Sequence, residues 1–294
     1  MQLPKITVVT PSFNQGHFLE QTILSVLGQN YPNLEYIIMD GGSTDSSVDV
    51  IKKYESKLAY WVSEKDNGQA HAINKGFERA TGNILCWLNS DDMYMPGIFS
   101  FVAKELDSSK AMILAGSSIR YMETEKGLLT AAHAIVSDHD ELSLKDVDYL
   151  MQPSTFWTRN VWQQVGKLNE KLFYTFDWDW FIRAEKLNLL IKTTNRTMSV
   201  YRIHGIQKTR AGGDKRNLEI IDLYNRYAPE NTAIFKKLVD NRSRMNSPVA
   251  KILRKVIRRI NTQTTDVAML KILFPELRNI NNARLKGIFG AITG

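Results

Sequence analysis

The 294-residue chain predicts an α/β fold with a doubly wound, mostly parallel sheet and a C-terminal helical extension. Three observations support this prediction. Strand-like and helix-like segments alternate with short connections through the first 110 residues, a pattern typical of parallel sheets. Polar residues collect where the predicted strands end. After residue 214, only helical patterns follow.

Each predicted strand of the first half is short and apolar, and a helical pattern follows it. The strands are KITVVT, which we expect to end at Pro11, then LEYIIMD, AYWVSE and NILCWL. The helices are GHFLEQTILSVLGQ, TDSSVDVIKKYE and GQAHAINKGFERA. Ligands of such sheets bind outside the carboxyl ends of the strands. We therefore expect one site from the polar residues at four strand ends: Ser12, Asn14, Asp40, Glu64, Asp66, Asp91 and Asp92.

The second half of the chain has a different pattern, which sets the predicted domain boundaries. AMILAGSSIRYME and LLTAAHAIV predict a strand pair, DWDWFIRAEKLN a helix, and LLIKTTNRTMSVYRIH a further extended segment. We expect a sheet-containing domain over residues 1–212, with halves 1–110 and 111–212. A helical extension over residues 213–294 completes the predicted organisation.

Two adjacent aspartates follow the fourth predicted strand in NILCWLNSDDMYMP. Their charges repel, so Asp91 and Asp92 require a compensating positive charge. One such aspartate would ordinarily be a helix cap or part of a solvated turn, but Pro96 suits the first position of the next helix and leaves the pair too early to cap it. A divalent cation shared with substrate phosphates would supply the charge, which predicts Mg²⁺ or Mn²⁺. The ligand would be a nucleoside diphosphate, since the sequence has no Walker-type loop.

Several separated motifs resemble those of family 2 glycosyltransferases and occur in the same order. They are TVVTPSFNQGHFLEQTILSVLGQNYPNLEYIIMDGGSTDSS, SEKDNGQAHAINKGFERATGNILCWLNSDD and FDWDWFIRA, and the similarity runs from residue 5 to about residue 205. The resemblance implies a GT-A fold and a metal-dependent, inverting transferase of the hexosyltransferase type. It implies a nucleotide-sugar donor, first of all a UDP-sugar, and a hydroxyl of a glycan or lipid-linked acceptor in cell-surface polysaccharide synthesis. Residues 1–110 would bind the nucleotide and residues 111–212 the acceptor.

The resemblance also implies which residues contact the nucleobase. Pro11 and Phe13 would lie against the base, and the Asp40 carboxylate would accept a hydrogen bond from a base N–H. Gly41 stands where many relatives have a second aspartate, which weakens the expected preference for uracil. Asp66 resembles a nucleoside contact, although an Asp-Asn-Gly turn explains it equally well.

The remaining donor contacts implied by the resemblance involve the acidic pair and one histidine. Asp91 would meet the ribose, and Asp92 would bind the Mn²⁺ or Mg²⁺ that bridges the diphosphate. In several relatives a histidine at the position of His204 contacts the metal or the diphosphate. Lys208 and Arg210 follow it between glycines, so we expect a lid that closes over the diphosphate. The alternative for His204 is an ordinary surface residue.

Two aspartates in TFDWDWFIRA are candidates for the general base that an inverting transfer requires. On a helix, Asp177 and Asp179 point about 200° apart, so they cannot serve the same acceptor oxygen. Asp179 has the spacing of an ion pair with Arg183. Asp177 matches the family's base position, and its alternative role is to stabilise the helix N-terminus. Trp178 and Trp180 could stack on a sugar, although aromatic residues at helical spacing usually belong to the core.

The segment from Gln152 to Trp157 resembles an acceptor-proximal segment of the family, although packing alone would explain Phe156 and Trp157. The single cysteine, Cys86, lies in a predicted buried strand, which excludes an internal disulfide. No signal peptide is expected from the N-terminal sequence, so we expect a cytoplasmic location.

The basic charge is concentrated at the C-terminus, where residues 236–294 contain 13 Lys and Arg against 3 Asp and Glu. Within residues 247–260, apolar and basic side chains take opposite faces of a predicted helix. This pattern fits peripheral attachment to anionic lipid on the inner face of the plasma membrane. The alternative is a helix that packs its apolar face on the protein. Nucleic acid is not expected as a partner, because no recognisable binding module is present.

Two other functions remain to be compared with glycosyl transfer. A sugar-nucleotide pyrophosphorylase would need a Gly-rich basic loop, which TPSFNQGHF lacks. A non-catalytic scaffold that binds a nucleotide sugar or glycan in a polysaccharide assembly complex would not need the base. The presence of Asp40, Asp91, Asp92 and Asp177 together therefore favours the enzyme.

Overall fold

The computed structural model describes residues 3–123, 129–134, 143–205, 207–208, 212–259 and 265–293. The chain divides into two compact units. The first unit comprises residues 1–138 and 150–207, and the second comprises residues 139–149 and 208–294. Of the segment that joins the second unit ahead of the C-terminal helices, the structure describes residues 143–149.

The first unit is built on one mixed sheet. Its described strands are β1 (Ile6–Ser12), β2 (Leu34–Asp40), β3 (Tyr60–Ser63), β4 (Ile84–Trp87), β5 (Met93–Tyr94), β6 (Met112–Glu123), β7 (Leu129–Ala134), β8 (Thr155–Thr158) and β9 (Leu190–Ile203). They lie in the order β3-β2-β1-β4-β8-β6-β9-β5, and β7 pairs with β6. The first four strands are parallel, β8 runs antiparallel to both neighbours, and β6 and β9 are parallel. The predicted α/β class with a doubly wound sheet is confirmed.

The sequence predicts that the first strand ends at Pro11, but β1 continues to Ser12. Pro11 lies opposite Met39 of β2, while the pairing of β1 with β4 stops at Val9 and Trp87. Alternate residues of a parallel strand bond to opposite neighbours, and Ser12 accepts from Gly41 on the β2 side. The missing N–H of Pro11 therefore faces β4, where the bond from the Leu88 N–H to the Val9 carbonyl is the last one, so Pro11 ends the pairing with β4 while the pairing with β2 continues.

Helices cover the sheet of the first unit. They are α1 (Gly16–Leu27), α2 (Ser47–Tyr54), α3 (Gln69–Arg79), α4 (Ile98–Glu105), α5 (Arg159–Val165) and α6 (Phe176–Lys186). The predicted apolar face of α1 is buried through Phe18, Leu19, Ile23 and Val26. Helix α3 approaches β1 so closely that a Cβ on Gly76 would lie 2.4 Å from Cγ1 of Val9. This glycine lets the helix pack directly on the strand.

The second unit is helical in its described part. Its helices are α7 (Gly213–Tyr227), α8 (Pro229–Asp240), α9 (Arg242–Met245), α10 (Pro248–Arg258), α11 (Thr265–Leu273) and α12 (Asn282–Thr293). The segment 143–149 is tied to them through Asp146, whose carboxylate accepts from Asn231 at 2.9 Å and whose carbonyl accepts from the Tyr224 hydroxyl at 3.3 Å. Among the residues described, none of the helices combines the length and apolar character that a membrane span requires.

Candidate active site

Three polar residues lie side by side at the carboxyl edge of the sheet, because the strands that carry them are in register. Ser12 pairs with Asp40, and Asp40 pairs with Ser63. The Asp40 carboxylate is 2% exposed and accepts hydrogen bonds from the hydroxyls of Ser43 and Ser63, at 2.6 and 2.7 Å. It also accepts from the backbone N–H of Ser43 at 2.8 Å and of Gly42 at 3.2 Å. Four bonds fill the usual acceptor capacity of a carboxylate, so Asp40 is engaged in shaping this turn. Its contact with a nucleobase stays a prediction.

Asp66 lies beside the turn at the position that a side chain on residue 41 would need. A Cβ built on Gly41 would be 2.7 Å from Oδ2 of Asp66. The other carboxylate oxygen of Asp66 accepts from the N–H of Gly68 at 2.7 Å, so the turn predicted as its alternative role is present. Asp66 is only half-buried. The Asp66 carboxylate thus occupies the space that a side chain at position 41 would need.

An exposed aromatic ring stands at the same edge. Phe13 is 59% exposed, directly after the buried Pro11 and Ser12. The next residue, Asn14, has a φ of 51° and donates its N–H to the Ser43 hydroxyl at 2.8 Å. The Asn14 side chain accepts from the Thr44 N–H at 2.8 Å. The loop after β1 is therefore fixed to the loop after β2, and it presents the Phe13 ring to solvent.

The acidic pair lies next to two basic residues from the end of β9. Strand β5 runs antiparallel to β9, with Met93 opposite Val200, so the two chain segments pass each other here. Nε2 of His204 lies 3.0 Å from Oδ2 of Asp91. Arg202 donates its backbone N–H to Oδ1 of Asp92 at 3.1 Å and its Nε–H to the Asp91 carbonyl at 3.0 Å. The compensating positive charge is thus partly resident in the protein.

The sequence predicts a role for His204 but gives none for Arg202. Arg202 and His204 are two residues apart in the extended segment VYRIH, so their side chains lie on the same face of it. The two-residue spacing indicates that Arg202 lies near any site that contains His204, although it does not reveal which strand pairs with this segment.

Asp92 is almost completely buried, at 1% exposure. Burial raises the pKa of its carboxyl well above the ordinary value, and the neighbouring Asp91 charge raises it further. The backbone N–H of Arg202, the amide of Asn89 and the Arg202 charge lower the pKa of Asp92 but do not offset the burial. The Asp92 carboxyl therefore holds its proton to a higher pH than an exposed aspartate.

The donor atoms near the pair are suited to a divalent cation that phosphates help to bind. Among the residues described, no three His, Cys, Asp or Glu side chains converge as a ready metal cage. Nδ1 of His204 is buried and has no hydrogen-bond partner in the described part of the chain. Mg²⁺ and Mn²⁺ sites commonly combine one or two carboxylates with substrate phosphates. Asp91 and Asp92 supply the carboxylates for such an arrangement, and the binding of a cation by Asp92 and His204 stays a prediction.

A chain of amide hydrogen bonds connects the acidic pair to the predicted acceptor-side segment. Gln69 donates to Oδ1 of Asn89 at 2.7 Å, and Asn89 donates to Oε1 of Gln152 at 3.2 Å. Gln152 in turn donates to the Trp87 carbonyl at the end of β4, at 2.9 Å. Phe156 and Trp157 are fully buried, as the packing alternative expects. The polar part of this segment that reaches the edge is Gln152.

The two candidate bases occupy different surroundings. Asp179 is 2% exposed and forms the predicted ion pair with Arg183, at 2.9 Å. Arg183 also donates to the carbonyls of Val165 and Lys167, so this pair supports packing of the first unit. Asp177 is half-buried at the start of α6, where its carboxylate accepts from the Trp178 N–H at 2.8 Å. Its assignment as the base stays a prediction.

Packing links the start of α6 to the end of β4. The Phe176 ring, directly before Asp177, lies 6.4 Å from the Trp87 ring. Trp178 and Trp180 are 4% and 0% exposed, and Trp180 donates to the Gly166 carbonyl at 2.9 Å. Both indoles are therefore core residues rather than exposed sugar platforms.

The predicted lid is described only in part. Gly205 and Lys208 are described, whereas Arg210 lies outside the described residues. Gln207 donates to the Tyr201 hydroxyl at 2.5 Å. The closure of this segment over a diphosphate stays a prediction.

Residues 7–146 match the family model described as "Glycosyl transferase family 2". A protein of Bacillus subtilis named for teichuronic acid biosynthesis, the glycosyltransferase TuaG, is 39% identical over 94 residues, covering 31% of this chain and 37% of that protein. An uncharacterized glycosyltransferase of Nostoc is 26% identical over 214 residues, covering 68% of this chain and 65% of that protein. The chain thus spans less than two thirds of the length of either relative.

Two solved structures share the fold at low identity. S. aureus TarS 1–349 in complex with UDP-GlcNAc has a TM-score of 0.60 and 15% identity, over 98% of this chain and 91% of that one. The mannosyltransferase PcManGT from Pyrobaculum calidifontis, in complex with GDP-Man and Mn²⁺, has a TM-score of 0.60 and 14% identity, over 100% of this chain and 87% of that one. These similarities identify the fold as GT-A.

Proposed function

We propose that this chain, whose residues 7–146 match the model of glycosyltransferase family 2, transfers a sugar from a nucleotide-diphosphate donor to an acceptor hydroxyl. The observation that carries the proposal is the group formed by Asp91, Asp92 and His204 at the carboxyl edge of the sheet. UDP-GlcNAc in TarS supports a UDP-sugar as donor, and GDP-Man in PcManGT supports the wider nucleotide-sugar class. The teichuronic acid relative supports a role in cell-surface polysaccharide synthesis, with a glycan or lipid-linked acceptor.

The proposed donor site follows the edge of the sheet. Phe13 offers an exposed ring for the base, beside Pro11. Asp66 has more free capacity than the saturated Asp40 to accept a hydrogen bond from a base N–H, as the N–H of uracil would donate. Asp91 would meet the ribose. Residues 1–110 would bind the donor and residues 111–212 the acceptor.

Mn²⁺ or Mg²⁺ is the proposed cofactor, held by Asp92 together with His204 and the diphosphate. When bound, such a cation stabilises the negative charge of the departing nucleoside diphosphate. The Mn²⁺ in the PcManGT complex supports this choice. The protein's own contribution is to hold the two carboxylates together at a buried edge, where Arg202 already offsets part of their charge.

Asp177 is the proposed base. Its carboxylate would take the proton of the acceptor hydroxyl while that oxygen bonds to the anomeric carbon, and the bond from this carbon to the diphosphate breaks. The displacement inverts the anomeric centre. Carboxylates as a class are weak bases in water at neutral pH, so we expect the orientation of Asp177 at the start of α6 to provide much of its effect.

Assays of the purified chain with UDP-, GDP- and dTDP-sugars, in Mn²⁺, Mg²⁺ or EDTA, test the proposal. Cation-dependent turnover of one donor is the expected result. Cation-dependent binding without turnover, unchanged in Asp177→Asn, would instead favour a non-catalytic nucleotide-sugar-binding scaffold. No binding by the folded protein would contradict both.

The proposal includes peripheral attachment to the inner face of the plasma membrane through residues 247–260 of the extension, residues 213–294. Helix α10 buries Ala250 and leaves Leu253 and Ile257 half-buried, whereas Val249, Ile252 and Val256 are 59%, 62% and 51% exposed. The apolar arc spans about 140° at 100° per residue, so neighbouring helices cover only part of it. Beside the exposed side of this apolar arc lie four exposed basic side chains: Lys251, Lys255, Arg258 and Arg259. An exposed apolar stripe beside basic charge suits anionic lipid.

Flotation with vesicles of phosphatidylcholine, with and without phosphatidylglycerol, tests the attachment. We expect salt-sensitive binding to the anionic vesicles only, and its loss when Val249, Ile252 and Val256 are changed to Ser. Leu218→Ser is the matched control, because Leu218 is 64% exposed on α7. Equal flotation of the triple variant, or preferential capture of RNA over vesicles, would contradict a lipid partner.

A further inference from the structure

Arg202 is a buried cation at the edge that carries the acidic pair. The residue is 5% exposed, and its guanidinium lies close to two aromatic rings. The Cζ atom is 4.7 Å from the centroid of the Phe18 ring and 5.8 Å from that of Tyr121. The faces of aromatic rings attract cations and exclude water. The guanidinium is thus held in one place rather than exchanging among solvent-exposed positions.

The hydrogen bonds of Arg202 join three elements of the first unit. Its Nε–H donates to the Asp91 carbonyl at 3.0 Å, and an Nη2–H donates to the Gln21 amide oxygen on α1. Its backbone N–H donates to Oδ1 of Asp92 at 3.1 Å. Both side-chain acceptors are neutral oxygens, so the guanidinium charge acts on the neighbouring carboxylates through space. A rigid planar fork is suited to holding two acceptors at once.

We infer that Arg202 is the positioning residue of the acidic pair: it fixes the backbone at Asp91 and supplies the positive charge that keeps Asp91 and Asp92 together before donor and cation arrive. This inference rests on the proposed function for its effect on donor binding. Its effect on the ligand-free protein does not depend on that function. Without Arg202, the Asp91 carboxylate, and Asp92 wherever it is ionised, would lack their resident counter-charge at this edge.

Three variants separate positioning from general packing. Arg202→Met keeps an apolar stem close to the rings but removes the charge and the fork. Arg202→Lys keeps the charge and removes the paired geometry. Arg159→Met is the matched control, because Arg159 also donates to two carbonyls, those of Gly82 and Ala80 at 2.8 Å each, but at the amino end of β4.

The ligand-free test is a double-mutant cycle with Asp92→Asn, read from the unfolding midpoint. All 6 tryptophans lie in the first unit, so their fluorescence reports its unfolding. We expect Arg202→Met to lower the unfolding midpoint, and we expect the added substitution Asp92→Asn to restore much of that loss. Added to Arg159→Met, Asp92→Asn should restore none of the loss. Equal, additive effects in both backgrounds would overturn the inference. If Arg202→Met does not fold, the same cycle is measured with Arg202→Lys in its place.

The donor test measures the affinity for Mn²⁺ with UDP, by the electron paramagnetic resonance signal of free Mn²⁺. Loss of a residue that orients metal ligands typically weakens metal binding by about 10–100-fold. We expect a loss in that range for Arg202→Met, a smaller loss for Arg202→Lys and none for Arg159→Met. Affinity equal to that of the unchanged protein in Arg202→Met would overturn the inference. Absence of nucleotide binding in the unchanged protein would contradict the proposed function instead, and the cycle would still decide the role of Arg202.

Discussion

Nε2 of His204 lies 3.0 Å from Oδ2 of Asp91, although the two residues are 113 positions apart in the chain. The contact joins the end of β9 to the loop that follows β4. It leaves Nδ1 of His204 buried without a hydrogen-bond partner in the described part of the chain. An imidazole held in this way can offer a free nitrogen to a ligand while its other nitrogen stays fixed by a carboxylate.

Asp92 makes the stability of the first unit depend on pH in a defined direction. Its pKa is raised in the folded state from the ordinary value of 3.8, chiefly by burial. Above pH 3.8 the folded protein therefore keeps a proton that the unfolded chain has released. Stability from this group is highest at low pH and is lost as the pH rises towards the folded pKa. Without metal, we expect the unfolding midpoint of the unchanged protein to fall relative to Asp92→Asn as the pH is raised.

Tryptophan fluorescence at a series of pH values measures this difference. Asp49→Asn is the control, since Asp49 is exposed on α2. That variant should follow the unchanged protein at every pH. Parallel curves for Asp92→Asn and the unchanged protein would mean that Asp92 does not titrate in this way.

Asp177→Asn removes the proposed base but keeps the size and the start of α6. We expect turnover to fall by about 10²–10⁴-fold, the usual contribution of a general base, with the dissociation constant of the donor unchanged. Asp179→Asn should behave differently. It breaks a largely buried ion pair with Arg183 and should cost a few kcal/mol of unfolding free energy. Equal turnover in Asp177→Asn and the unchanged enzyme would exclude Asp177 as the base.

Asp40 and Asp66 should separate into structural and binding roles. Asp40→Ala leaves several donors around a buried turn without an acceptor, so we expect a loss of several kcal/mol of unfolding free energy. Asp66→Ala should change stability little but weaken UDP binding by roughly 10–150-fold, the equivalent of one charge-assisted hydrogen bond. Calorimetric titration of UDP and thermal unfolding of both variants measure the two effects. Unchanged UDP affinity in Asp66→Ala would mean that Asp66 does not bind the base, and would favour Asp40 as the acceptor of the base N–H.

Cys86 should resist thiol reagents in the folded protein. It is buried in β4, and burial raises its pKa to about 12, so almost no thiolate exists near neutral pH. We expect Ellman's reagent to react only after the first unit unfolds. Rapid reaction under native conditions would show that the strand opens.

Local patterns in the sequence predicted much of the fold and part of the site. The alternation of strands and helices and the spacing of Asp179 and Arg183 depend on residues close in the chain, and both are observed. The group at the sheet edge was predictable because parallel strands end on the same side.

The features that sequence reasoning missed depend on which strands become neighbours. Arg202 meets the acidic pair only because β5 pairs with β9. The saturation of Asp40 requires Ser63 from β3, and the continuation of β1 through Pro11 depends on β2 pairing with the side of the strand that Pro11 does not face. None of these pairings has a local pattern.

Calorimetric titration of UDP into the protein, with Mn²⁺ and then with EDTA, shows whether a nucleoside diphosphate binds together with a divalent cation. The same titration of Asp92→Asn reports whether the cation acts through the acidic pair. We expect binding in Mn²⁺ that is lost or strongly weakened in EDTA and in Asp92→Asn. Equal binding in Mn²⁺, in EDTA and in the variant, or no binding of any nucleoside diphosphate by the folded protein, would contradict it.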